Sequence, residues 1–169
     1  MINVYTLEND KLWDDIVRTI SGYDVFYLSS YSRAFEHQGA GKPLLIEYIN
    51  KNEKAINVVF RRDVALDSHF VNRLKEGQYF DLSTPYGYGG FIGNITNTFN
   101  LIDEWNKYCI DKRYICEFVR FNLFSNYINY YDGEIQTKSH NVIRNLNMPI
   151  ENMWMDFKQK VRKNVKRSN

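Results

Sequence analysis

The densest concentration of residues able to do chemistry lies at 84–90, which reads Thr-Pro-Tyr-Gly-Tyr-Gly-Gly. Gly87, Gly89 and Gly90 fall where a backbone must turn tightly or approach a ligand, and Tyr86 and Tyr88 present hydroxyls between them. A loop of this composition can offer N–H donors to an acyl oxyanion or a phosphate. It serves equally well as a tight connection with tyrosines packed for area.

A second candidate is Arg120, set in the apolar run Glu-Phe-Val-Arg-Phe-Asn at 117–122. Strand alternation places Glu117, Val119 and Phe121 on one face and Phe118, Arg120 and Asn122 on the other. A charge beside Phe118 in a central strand requires a partner or a ligand. An internal salt bridge to Asp81, or to a neighbour of Glu117, is the expected partner. A third candidate is the basic run Lys158, Lys160, Arg162, Lys163, Lys166 and Arg167, which suits phosphates of coenzyme A, of a tRNA acceptor stem or of a nucleotide-linked sugar, or simply forms a solvated helix face. Arg162 and Arg167 carry the planar donors best matched to phosphate.

Other residue types offer little. His37, His69 and His140 lie far apart and lack metal-ligand spacing, so no metal site is expected. Cys109 and Cys116 read as buried small hydrophobes. The string His-Gln-Gly-Ala-Gly-Lys-Pro at 37–43 lacks the residues of a phosphate loop, because Pro43 follows Lys42 where Ser or Thr belongs. No residue stands out as a nucleophile or a general base.

The elements that must position these groups follow from periodicity. A strand at 2–6 precedes a helix from Asn9 or Asp10 to about Ile20, with Leu12, Trp13, Ile16, Val17 and Ile20 as its apolar stripe. A short strand at 25–28 and a helix at 31–37 capped by Ser29 or Ser30 come next. Runs 44–50 and 54–61 form an antiparallel hairpin across Lys51, Asn52 and Glu53. Beyond the polar stretch 62–77, a strand enters the Tyr/Gly loop, a helix runs from Thr96 or Asn97 to Asp111, and the strongest strand spans 114–123. A polar, strand-like segment, 135–147, leads to one amphipathic helix from Pro149 or Ile150 onward, with Met153, Trp154, Phe157, Val161 and Val165 on its apolar side. The expected fold is α/β, a single domain with a mixed, largely antiparallel sheet flanked by helices.

Composition narrows the function classes. With 169 residues, 44% hydrophobic and 16% aromatic, the chain can close a core around a sheet. The net charge of +2 is a tail property: residues 158–169 hold six Lys/Arg and no acid, leaving 16 basic against 20 acidic side chains before them. This disfavours a uniformly basic nucleic-acid-binding domain. No stretch of about 18 apolar residues occurs, and no basic leader precedes an apolar run, so neither a spanning helix nor a signal peptide is expected and the expected location is cytoplasmic.

Three segments, in order, resemble the amino-terminal half of FemAB/FemX-type transferases, the GNAT-like proteins of peptidoglycan bridge formation: Tyr79 to Gly90, Glu117 to Asn126, and the basic helix Met153 to Asn169. The chain departs from that pattern at Asn122, where the family shows His. The resemblance implies a GNAT-like fold and a parent enzyme that moves an acyl or aminoacyl group from acyl-CoA or aminoacyl-tRNA to an amine such as that of a cell-wall precursor. It also implies that a carboxy-terminal GNAT-like half follows Asn169, where the helical pattern stops unfinished, and that the piece is inactive alone with no cofactor of its own. Tyr86, Gly87, Tyr88, Gly89, Gly90, Arg120, Asn122, Arg162 and Arg167 would bind substrate. The alternatives are a non-catalytic module that binds a protein or an anionic polymer through its basic helix, and a homodimer that supplies the second half by symmetry.

Overall fold

A computed structural model of the protein describes residues 1–138, 140 and 143–168. They form two compact units, Met1–Gly133 and Glu134–Asn169, and each is taken separately.

The first unit is built on β1 (Ile2–Tyr5), α1 (Asp10–Arg18), α2 (Ser29–His37), β2 (Lys42–Asn50), β3 (Glu53–Asp63), β4 (Phe80–Ser83), β5 (Ile92–Asn94), α3 (Thr98–Asp111) and β6 (Tyr114–Phe118). The sheet runs β1-β2-β3-β4-β6, with β5 paired to β3 beyond β4. All pairs are antiparallel except β4 with β6, which are parallel and joined by the crossover that contains α3. The α/β class and the mixed, largely antiparallel sheet are as expected. The hairpin β2–β3 also forms as expected, and Lys51 takes a left-handed turn conformation (φ 52°) to close it.

Period-two alternation distributes the central strands between two cores. Leu44, Ile46, Tyr48, Ala55 and Val59 pack with Leu101 and Trp105 of α3. Leu45, Ile56 and Val58 pack with Trp13, Ile16 and Val17 of α1 and with Tyr27. Helices therefore cover both faces of the sheet. Leu12, expected in the α1 stripe, is instead exposed, because the core-facing arc begins at Trp13. At the start of α3, the amides of Thr96 and Asn97 and the Thr96 hydroxyl all donate to Oε1 of Glu53, which holds that carboxyl below its ordinary range, and Asn97 caps the first turn.

Several expected elements change character. Residues 25–28 do not form a strand: Asp24 accepts from the Val25 amide and closes a 3-10 turn over Val25–Tyr27, which drives Tyr27 inward. Helix α2 is capped by neither Ser29 nor Ser30. Asp14 of α1 accepts from the Ser29 amide at 2.8 Å and ties the two helices together. The strongest strand stops at Phe118 rather than Leu123, because past that point its pairing passes to the Tyr/Gly loop. Cys109 is half-buried against the core, but Cys116 is exposed, since β6 is an edge strand and not a central one.

In the second unit the expected single helix is two, α4 (Ile150–Asp156) and α5 (Gln159–Ser168). Phe157 is extended between them (ψ 141°). Arg144 explains the break: its guanidinium pairs with Asp156 at 2.6 Å and lies 5.4 Å from the Phe157 ring centroid, which holds the chain out of helical register. The strand-like segment contains no strand among its described residues, and Ser139, Asn141 and Val142 lie outside them. Among the described residues no helix is long and apolar enough to cross a membrane.

Candidate functional site

The Tyr/Gly loop interrupts a strand. β4 pairs with Phe60–Asp63 and β5 with Lys54–Ile56, so residues 57–59 of β3 stand opposite the whole of 84–91. The chain leaves the sheet there and returns to it. Asn57 lies at the centre of the gap, fully buried on the α3 side.

Gly90 is gripped from both faces. Its N–H donates to Oδ1 of Asn57 at 3.2 Å, and its carbonyl accepts from the Tyr27 hydroxyl at 2.9 Å. The Trp13 indole N–H, donating to the Tyr27 carbonyl at 2.8 Å, fixes that tyrosine in turn. Burial raises the Tyr27 phenol well above its ordinary pKa, so the hydroxyl remains a donor. A side chain at Gly90, which has φ 89°, would meet the Tyr127 ring at 2.9 Å, so only glycine fits. Asn57 Nδ2 is buried and unpartnered, an orphan donor beneath the loop.

The rest of the loop is stitched to the residues that follow β6. The Thr84 amide donates to Phe118 O at 3.0 Å, and the Arg120 amide donates to Thr84 Oγ1 at 3.0 Å. The Gly89 amide donates to Arg120 O at 2.7 Å, and Asn122 N–H donates to Gly89 O at 2.8 Å. These bonds bring Tyr86, Gly87, Tyr88, Gly89, Gly90, Arg120 and Asn122 into one neighbourhood. Asn122 is buried, against strand alternation, because its Oδ1 accepts from the Phe124 amide and its backbone holds Gly89.

Arg120 departs from expectation. Asp81 is already held by a two-point pair with Arg62, at 2.9 and 2.7 Å, and Arg120 forms no ion pair among the described residues. Its guanidinium lies 5.2 Å from the Tyr86 ring centroid and 5.7 Å from that of Phe118. The Tyr86 side chain is exposed while its carbonyl accepts from Tyr31 Oη at 2.5 Å, and its ring stacks on Phe35. Phe26 fills the space over Gly87 and contacts the Tyr88 ring. The Tyr86 and Gly87 amides donate to no group among the described residues. The result is a rim that carries an exposed tyrosine and, among the described residues, a cation without an ion pair and two amides without acceptors.

Beside this rim, a cavity of about 260 Å³ is lined by Gly93, Thr98, Asn122, Ser125, Tyr127 and Tyr130 among others. Arg162 and Arg167 belong to the second unit. Arg162 donates to the carbonyl of Met155 at 2.8 Å, which closes the α4–α5 elbow, and Arg167 is exposed on α5. No group of three or more potential metal ligands occurs among the described residues.

Sequence reading passes over Asn57, Tyr27 and Glu117. The first has a signal: an amide in the middle of Lys-Ala-Ile-Asn-Val-Val-Phe, in phase with core positions Ala55 and Val59, is a buried polar group in need of a purpose. Tyr27 has none, because its role depends on a turn that its own residues disguise as a strand. Compared with family models, with curated proteins and with solved structures, the chain finds no match.

Proposed function

We propose that the chain is the amino-terminal half of a GNAT-like acyl- or aminoacyltransferase of the FemAB/FemX kind, and that the Tyr86–Gly90 rim with Arg120 binds the anionic part of a substrate. The observation that carries this reading is the interrupted strand. A loop let into the sheet beside a parallel pair, gripped at Gly90 and stitched to the strand after the crossover helix, holds open amides and a cation in one place. Arg120 is committed to aromatic faces rather than to a carboxylate, so it retains its capacity for a two-point contact with phosphate or carboxylate. Open amides at Tyr86 and Gly87 match the requirement of an acyl oxyanion or a phosphate. Rate enhancement at such a site comes from positioning and charge stabilisation, with the proton leaving through substrate or water.

The proposed partners are a carboxy-terminal GNAT-like half, an acyl-CoA or aminoacyl-tRNA donor and a nucleotide-linked amine acceptor, with a homodimer as the other way to complete the site. The interaction-module reading draws on exposed apolar residues near the rim, Phe118, Leu123 and Phe124. Thermal-shift and calorimetric titration with acetyl-CoA, a UDP-linked muramyl peptide and a short RNA stem, in the wild type and in Arg120→Ala, tests the proposal. Saturable stabilisation by one ligand, weakened about tenfold or more by the substitution, is the expected result. No stabilisation by any of the three overturns it.

A further inference from the structure

The cavity of about 260 Å³ beside the rim has a wall of one chemical kind. Among the described residues no Lys, Arg, His, Asp or Glu lines it, in a chain of which 25% is charged. Glu117, whose carboxyl burial raises to about 7 against the opposing Trp105 hydrogen bond, lines a different cavity. A charged guest therefore finds no counter-ion in this wall.

The wall offers neutral hydrogen-bonding capacity in excess. Two of its polar side chains are committed to holding it in shape. Ser125 Oγ donates to the Phe91 carbonyl at 2.8 Å and accepts from the Tyr127 amide at 3.1 Å, and Asn122 Oδ1 accepts from the Phe124 amide at 2.9 Å. Four others, Ser21, Thr98, Asn126 and Tyr130, make no side-chain hydrogen bond to any described residue. Ser21, Asn126 and Tyr130 are exposed and Thr98 is half-buried, so a guest can reach all four. Three hydroxyls and an amide can each both donate and accept. They come from the end of α1, the start of α3 and the segment after β6, so the fold, and not local sequence, gathers them.

Aromatic rings complete the lining. Phe91 and Tyr127 are buried and meet edge to face at 5.4 Å, whereas Phe124 is 78% exposed and touches no other ring among the described residues. The matching guest is neutral, carries several groups that both donate and accept, and presents an apolar face. A pyranose combines these properties, with hydroxyls around its edge and C–H groups on its faces. An apolar guest would leave the four polar side chains unanswered, and a flat base would meet them along one edge alone. At roughly 30 Å³ per liquid water, the volume equals about nine waters, which is room for one sugar ring and not for a chain of them.

We propose that this cavity binds one neutral pyranose, free or at the end of a glycan, with Ser21, Thr98, Asn126 and Tyr130 meeting its hydroxyls and Phe124 covering its C–H face. The site does not depend on the transferase reading. It adjoins the rim through Asn122, but neither Arg120 nor the Tyr86 and Gly87 amides line it.

The test is titration of the full chain with the methyl glycosides of glucose, galactose and mannose, followed by backbone and side-chain N–H resonances. Uracil, a flat ring, and cyclohexanol, a ring of pyranose size with one hydroxyl, are the counterparts. Saturable binding of at least one glycoside is expected, with a dissociation constant on the order of millimolar, moving the Asn126 side-chain amide and the Thr98 backbone amide. Both counterparts should bind about tenfold or more weakly, and Asn126→Ala and Tyr130→Phe should each weaken the glycoside about fivefold. Equal binding of either counterpart, affinity unchanged in both variants, or resonance shifts confined to other parts of the chain would each overturn the proposal. So would the absence of saturable binding by all three glycosides at about ten times the expected constant. Both substitutions lie at exposed positions outside the core, and the wild-type resonances decide the matter even if a variant fails to fold.

Discussion

At the scale of single residues, the candidate rim depends on polar groups buried for its sake. Asn57 sacrifices apolar packing in the middle of β3 to hold the Gly90 amide, and Tyr27 brings a hydroxyl through the opposite core to the Gly90 carbonyl. Removing either leaves a buried backbone group unpaired. Tyr27→Phe is therefore expected to cost about 1–3 kcal/mol in urea unfolding, and Asn57→Ala a similar amount plus the cavity it opens. Asn57→Leu should recover the packing part of that cost but not the part due to the unpaired Gly90 amide, because a leucine of nearly the same size fills the space and offers no acceptor. Glu117 gives the fold a pH dependence. Its folded-state pKa of about 7 stands above the ordinary carboxylate value, so the native state binds that proton more tightly than the unfolded chain does. Its contribution is complete below the ordinary carboxylate range and is lost as pH rises through about 7. Glu117→Gln should flatten this part of the stability profile and gain about 2 kcal/mol at pH 8, read by denaturant midpoints across pH 4–9. A profile unchanged by the substitution would contradict this assignment.

At the scale of elements, Gly87 seats the loop beneath Phe26 of the 3-10 turn. Its φ of 114° and the Phe26 ring 2.5 Å from any added Cβ make Gly87→Ala strained on two counts. The substitution should destabilise the fold by about 1–3 kcal/mol and displace the Tyr86 ring, relaxing its stacking on Phe35 and the Arg120 contact, visible as altered tyrosine signals in near-ultraviolet circular dichroism. Elements with a clear period were legible from sequence: α1, α3 and the β2–β3 hairpin appear within a residue or two of their expected spans. Those decided by a single distant contact were not. Asp14 replaces a local serine as the cap of α2, and the bond between Asp24 and Val25 turns an apolar strand pattern into a 3-10 turn. The pair between Arg144 and Asp156 breaks what periodicity alone reads as one continuous helix. The Tyr/Gly loop stands out as a candidate because its glycines are local signals, whereas the expected partner of Arg120 is taken by Arg62, which stands directly opposite Asp81 on β3 and pairs with it at two points.

At the scale of the whole molecule, every buried core residue among those described lies between Trp13 and Tyr127, within the first unit. A chain ending at Gly133 should accordingly keep a cooperative unfolding transition followed by the buried Trp13 and Trp105. Loss of cooperativity on that truncation would mean the second unit carries part of the fold. Electrostatics divides in the same way, since the six Lys/Arg of residues 158–169 turn an acidic chain slightly basic, and salt should affect anion binding by α5 far more than it affects the stability of the first unit. The grip on Gly90 has one further consequence, in time rather than in energy. Its amide, bonded to Asn57 between two cores, should exchange with deuterium only when the whole unit opens. The amides of Tyr86 and Gly87, a few residues away in the same loop and bonded to nothing among the described residues, should exchange at nearly the rate of free peptide. A loop fixed at one end like a strand and exposed at the other like a terminus keeps its position for the life of the fold, while the groups it presents remain accessible to solvent throughout.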